Sequence, residues 1–194
     1  MKTYRKYNET ERYNVFFIAD EHYFHENILR FHQRPFENVL EMNDALIVAN
    51  NEVVKSGDSV YHIGDFSFGS VVDTWKLLCK LNGTHYFIEG SHDDTMVRMN
   101  RNHKYPINMI GRIEVIRIGS IHCALSHYAL EIWPKKHYGA VHFHGHSHGN
   151  SCMRKNRADL GVDVIGYNPI SIDHAMEIIC DINENIKEMD DAIR

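Results

Sequence analysis

The residues with the greatest chemical reach in this sequence are histidines and carboxylates at short, repeated spacings. Asp20-Glu21-His22 sets a carboxylate and an imidazole two residues apart. In an extended segment positions i and i+2 point the same way, so the two could chelate one cation. His146-Ser147-His148 repeats the spacing with two imidazoles, and Gly145 and Gly149 on either side let the backbone turn towards an ion. Asp65, directly after Gly64, is placed to bridge two ions. Nitrogen and oxygen donors of this kind suit manganese, iron, zinc or nickel better than calcium or magnesium, and affinity order leaves those four open. Taken singly, each residue is more often a strand-end side chain held by backbone hydrogen bonds. Their co-occurrence turns the reading towards a metal site.

These residues need elements to position them. Tyr13 to Ala19 reads as a buried strand ending in Asp20, Ser59 to Ile63 as a second strand ending near Asp65, and Tyr86 to Glu89 as a third. Between them, Asn43 is the expected cap of a helix running to Gly57. Ser70 is the expected cap of a helix through Leu81, with Val72, Trp75, Leu78 and Cys79 on one stripe. Ile113 to Ile118 and Ile121 to Ser126 flank Gly119-Ser120, the signature of a tight hairpin. Val141 to His144 and Ala158 to Val164 are the later strands, and Ser171 caps a final helix with Ala175, Ile178 and Ile179 inward, fraying through Asp191. Early strands alternate with helices and later ones follow in hairpin-like succession, which predicts an α/β fold of mixed sheets covered by helices. Asp20, Asp65, Gly90-Ser91-His92-Asp93, His127 and Gly145-His146-Ser147-His148 each follow an apolar strand, where open α/β folds build their sites.

With 194 residues and no linker, repeat or low-complexity tract, one domain over 1–194 is expected. The net charge of −5 supplies no global field for an extended nucleic acid or an anionic membrane. The first apolar run is too short for a signal peptide or a membrane span. Cys79, Cys123, Cys152 and Cys180 form no C-x-x-C pair, which reads as reduced thiols in a cytoplasm. Arg154, Lys155 and Arg157 read as a solvated basic loop, and Tyr4, Tyr7 and Tyr13 with their basic neighbours as a polar arm.

Asp20-Glu21-His22, Gly64-Asp65, Gly90-Ser91-His92-Asp93, Ser126-His127 and Gly145-His146-Ser147-His148 resemble, in order, the D-x-H, G-D, G-N-H-D, small-H and G-H-x-H blocks of the calcineurin-like metallophosphoesterases. The resemblance runs from about Tyr13 to Ser171. It is closest to the small single-domain bacterial and phage branch, where stretches similar to His22-Tyr23-Phe24-His25-Glu26-Asn27-Ile28, Arg34-Pro35-Phe36 and Gly161-Val162-Asp163-Val164 recur. It implies a four-layer α-β-β-α sandwich with two mixed sheets face to face. One divalent ion would be held by Asp20, His22, Asp65 and His148, and another by Asp65, His127, His146 and position 91. A hydroxide on the metal pair would attack a small phosphodiester or phosphomonoester, nucleotide-like in kind. His92 would protonate the leaving oxygen, with Asp93 orienting its ring.

One position departs from that pattern. The family's asparagine ligand is Ser91 here, a shorter and poorer donor, which predicts weakened occupancy of the second position. Asp65, His127 and His146 remain, and three protein ligands with an open position suffice for a catalytic metal. Two alternatives therefore stand beside the small-ester hydrolase: a nuclease using the same chemistry, and a binding module weakened at Ser91. Oligomeric state is left open.

Overall fold

The computed structural model describes residues 5–102 and 104–193. In chain order the strands are β1 (Lys6–Tyr7), β2 (Val15–Ile18), β3 (Ser59–Ile63), β4 (Thr84–Ile88), β5 (Asn108–Gly111), β6 (Ile113–Ile118), β7 (Ile121–Ser126), β8 (Val141–His144), β9 (Arg157–Asp159) and β10 (Ile170–Ser171). The helices are α1 (Glu26–Phe31), α2 (Val39–Val53), α3 (Val71–Leu78), α4 (Asp94–Arg101), α5 (Val162–Ile165) and α6 (Ile172–Ile193).

The aromatic and β-branched runs of β2, β3 and β4 lie parallel in the middle of one five-stranded sheet, ordered β10-β2-β3-β4-β5, with β10 antiparallel at its edge. Such strands are apolar on both faces because both faces are covered. Val15, Phe17, Tyr61, Ile63 and Ile88 face the second sheet, while Ile18, Val60 and Phe87 pack on Met42 and Leu46 of α2, Leu77 of α3 and Met96 and Met99 of α4. The second sheet is ordered β1-β6-β7-β8-β9 and returns Ile116, Leu125, Val141 and Phe143 to the shared core. Its outer face carries Val115 and Ala124 under Trp133 and Ala140. The architecture is α/β, two mixed sheets flanked by helices.

Several local expectations shift. Asn38, not Asn43, caps α2, accepting from the amides of Leu40 and Glu41, while the Asn43 side chain is buried and accepts from the Phe24 amide. Ser70 does cap α3, but that helix stops at Leu78 and buries Thr74 and Leu77, leaving Val72 exposed. Among the described residues, only β6 and β7 form a hairpin in the second sheet; β7, β8 and β9 run parallel. The last of these strands ends at Asp159, and Val162–Ile165 is a helical turn despite its β-branched residues. The final helix continues to Ile193, with Ala175 and Ile179 buried. In the amino-terminal arm, β1 pairs with β6 and the Tyr7 hydroxyl lies 2.7 Å from that of Tyr61. Tyr4 lies outside the described residues. Among those described, no helix is long and apolar enough to cross a membrane.

Candidate metal centre

Loops following β2 and β3 of one sheet and β7 and β8 of the other meet in two groups of donors. Asp20, His22 and His148 form the first and Asp65, His127 and His146 the second, the donor atoms of each lying within 4.8 Å of one another. Asp65 stands between them: its Oδ2 is 3.3 Å from His127 Nε2 and 4.0 Å from His22 Nε2. Asp20 Oδ1 and His22 Nε2 are buried without a hydrogen-bond partner. Orphaned polar atoms of that kind are costly and rare, and these two are oxygen and nitrogen donors in one group, so the residues present fit a divalent ion.

The extended geometry expected for the two pairs is replaced by a tighter one. Asp20, His22, Asp65, His146 and His148 all have positive φ, at 58°, 53°, 55°, 66° and 44°. Left-handed backbone turns each loop sharply at its strand end, and aspartate and histidine are among the non-glycine types that enter this region most readily. Glycine is required beside them. A Cβ on Gly90 would come within 2.3 Å of the Asp65 amide nitrogen, and one on Gly145 within 2.4 Å of Asp20 Oδ2.

Burial pushes the Asp20 carboxyl up to about 7, against the pull of His127 and His148. It also drives the His22 imidazole well below its ordinary value. Burial would likewise raise Asp65, but the hydrogen bond and charge of His127, the His92 amide and His22 together outweigh this and hold it below the usual carboxylate range. His127 is raised correspondingly: burial lowers it and Asp65 more than restores it.

Around the donors lies a layer of fixing contacts. Asp163 Oδ2 sits 2.6 Å from His148 Nδ1, leaving Nε2 as the ring atom available to a metal ion. Arg34, buried, grips both Asp163 oxygens at 2.9 and 2.8 Å and donates to the carbonyls of Asp20 and Glu21 at 2.8 Å each. Asp159 receives the Ser147 hydroxyl and the amides of Gly149 and Gly161, tying down the β8 loop. None of Arg34, Asp159 and Asp163 stands out as a site residue from spacing, because each acts on residues remote in the chain or through backbone amides. The resemblance of Arg34-Pro35-Phe36 and Gly161-Val162-Asp163-Val164 to recurring family stretches was the available signal.

The remaining expected site residues are placed as follows. Ser91 Oγ donates to Asp65 Oδ2 at 2.9 Å and lies 3.4 Å from His127 Nε2, so it touches the second group. The exposed His92 ring stands 5.2 Å from Phe68 and 6.5 Å from His22, at the mouth of the first group. Asp93 does not orient that ring. Its buried carboxylate accepts the amides of Gly90, Asp65 and Phe66, because three loop amides need a partner there. Burial raises Asp93 to about 6, with those amides opposing. On β8, His142 bonds the Ala124 carbonyl and the Leu130 amide and packs on Trp133, while His144 Nδ1 lies 2.8 Å from the Gly145 carbonyl. Arg157 is buried against the Leu130 and Cys152 carbonyls, and Arg154 pairs with Glu131.

A cleft of about 460 Å³ opens beside the second group, bounded by Ser91, Val97, Arg112, Ile113, Tyr128 and Leu130. The Tyr128 ring lies 4.5 Å from that of His146 and 5.2 Å from that of His127.

No protein-family model matches the chain. A crystal structure of a protein of unknown function, AQ665 from Aquifex aeolicus, shares the fold with a TM-score of 0.67 over 85% of this chain and 98% of that one, at 23% identity. The chain is 31% identical over 174 residues to the uncharacterized protein MJ1445 of Methanocaldococcus jannaschii, covering 85% of this chain and 90% of that protein. At that identity and coverage, the chain belongs to the same protein family as MJ1445.

Proposed function

We propose that the chain is a metal-dependent phosphoesterase of the calcineurin-like kind, holding two divalent ions and hydrolysing a small, nucleotide-like phosphodiester or phosphomonoester. One observation carries this reading: two three-donor groups with Asp65 between them, the first containing two buried donors that have no hydrogen-bond partner. The ordered resemblance of the five loops supports it. When bound, two such ions supply an activated water and neutralise charge on the phosphoryl oxygens.

The chain's own residues do the rest. Asp65 Oδ1 accepts the His92 amide at 2.8 Å while Oδ2 faces the donor groups, so one carboxylate ties the β4 loop to the centre. Asp93 fixes the same loop through its three amides and acts as a positioning residue. The His92 imidazole, at the mouth, donates a proton to the leaving oxygen. Manganese, iron, zinc and nickel all suit the donor set. The four cysteines are free, which supports a reducing, cytoplasmic setting.

The test combines metal analysis with hydrolysis of bis(p-nitrophenyl) phosphate by protein loaded with manganese, nickel or zinc. Hydrolysis is expected, with His92→Ala retaining its metal but losing about 100-fold or more in kcat. Asp65→Ala is expected to lose both. Silence with every metal overturns the reading and favours a binding module, for which the Ser91 hydroxyl on Asp65 is the specific supporting contact.

A further inference from the structure

We propose that the cleft beside Ser91 and Tyr128 is the subsite for the organic substituent of the ester, and that it selects a flat, uncharged group over one bearing a second negative charge. This rests on the phosphoesterase reading and adds to it a substrate class.

The position of the cleft comes first. Two of its lining residues touch the second donor group directly: Ser91 through Asp65 and His127, and Tyr128 through the rings of His146 and His127. A phosphoryl group held between the two donor groups therefore has this space directly beside it. The short Ser91 side chain keeps that passage open.

The chemistry of the walls comes second. Val97, Ile113 and Leu130 supply aliphatic surface, and Tyr128, half exposed, supplies an aromatic one. A space of about 460 Å³ falls within the range of small-molecule sites and holds one ring system with room for a sugar.

The charge at the rim comes third. Arg112 is the cation lining the cleft, and its guanidinium is engaged by Glu89. Asp94 adds an exposed carboxylate to the lining. With Asp93 committed to backbone amides, the side chains facing this space offer no uncompensated positive charge to a second phosphate or carboxylate. A polyphosphate or an extended polynucleotide backbone would meet Glu89 and Asp94 there.

Phosphonates test this without turnover, because their C–P bond is not hydrolysed. Isothermal titration of manganese-loaded protein is expected to give phenylphosphonate an affinity about tenfold or more above methylphosphonate, the scale of burying one ring. 4-Carboxyphenylphosphonate is expected to lose most of that advantage. Ile113→Trp, which fills the cleft from an exposed strand position, is expected to reduce the phenyl-to-methyl ratio to about twofold or less; Val97→Trp from α4 reads the same if that variant fails to fold. Equal binding of the phenyl and methyl ligands by the wild type, or a ratio that survives in the filled variants, overturns the subsite. An unchanged affinity for the carboxylated ligand overturns the charge selection. Failure of methylphosphonate itself to bind the loaded protein is a different result, which sinks the phosphoesterase reading and the subsite with it.

Discussion

The Asp163 carboxylate lies 2.6 Å from His148 Nδ1 across 15 residues of chain, and Arg34, 129 residues away, holds both of its oxygens. A histidine of the first donor group is thus aimed by an anion that is itself aimed by a buried cation. Removing the charge while keeping the shape, as in Asp163→Asn, is expected to weaken manganese binding at the first group by about 10–100-fold, with circular dichroism unchanged. Metal affinity equal to wild type would assign Asp163 to folding alone.

Ser91 offers a hydroxyl where a longer amide would reach further into the second group. Ser91→Asn is expected to tighten metal binding and raise turnover at limiting metal. Metal titration followed by initial rates at substoichiometric manganese checks both. No gain in either quantity would show that the second position is already saturated by Asp65, His127 and His146.

Burial raises Asp20 to about 7 in the metal-free chain, so below that pH an incoming cation must displace a proton. Manganese affinity of the first group is expected to fall by about tenfold or more per pH unit below 7, since His148, raised by Asp163 against burial, must release its proton as well as Asp20. Titration in buffers of different ionisation enthalpy counts the protons. The same group sets a stability trend in the metal-free protein. Between the ordinary value of 3.8 and about 7 the folded chain holds a proton that the unfolded chain has lost, so this contribution falls as pH rises through the window. Asp20→Asn is expected to flatten the urea-unfolding profile over that range.

Arg34 is a buried cation with four oxygen partners. Its ion pair with Asp163 has side chains 0% and 9% exposed, so breaking it leaves a nearly buried carboxylate behind. Arg34→Met is expected to cost about 3–5 kcal/mol in metal-free urea unfolding. A loss under about 1 kcal/mol would mean that water reaches Asp163 freely.

The sheet core was legible because its strands announce themselves. Ser59–Ile63, Ile113–Ile118, Ile121–Ser126 and Val141–His144 are short runs of β-branched and aromatic residues with turn residues at their ends, and the structure has strands over those same ranges. Other features depend on tertiary competition. Two asparagines five residues apart could each cap α2, and only the demand of the Phe24 amide removes Asn43 from the contest. Val162–Ile165 has the residue types of a strand, yet the Val162 amide bonds the Ala19 carbonyl and the chain coils there, with Asp163 directed at His148 and Arg34. The grouping of Asp20, His22, Asp65, His127, His146 and His148 was readable from spacing and resemblance. The partners of Asp93 were not, since nothing local says that a carboxylate will be consumed by amides from another loop.

Five donor residues occupy a backbone region that L side chains avoid, and each such placement costs on the order of 1–3 kcal/mol unless its surroundings enforce it. Here the enforcement comes from Arg34, Asp93 and Asp159, anchors within the polypeptide itself. The loops therefore carry their bent shape in the ion-free chain, and a cation bound there, as proposed, would meet donors already arranged by the fold. Selectivity among cations would then turn on ionic radius and angular preference more than on how far the loops yield.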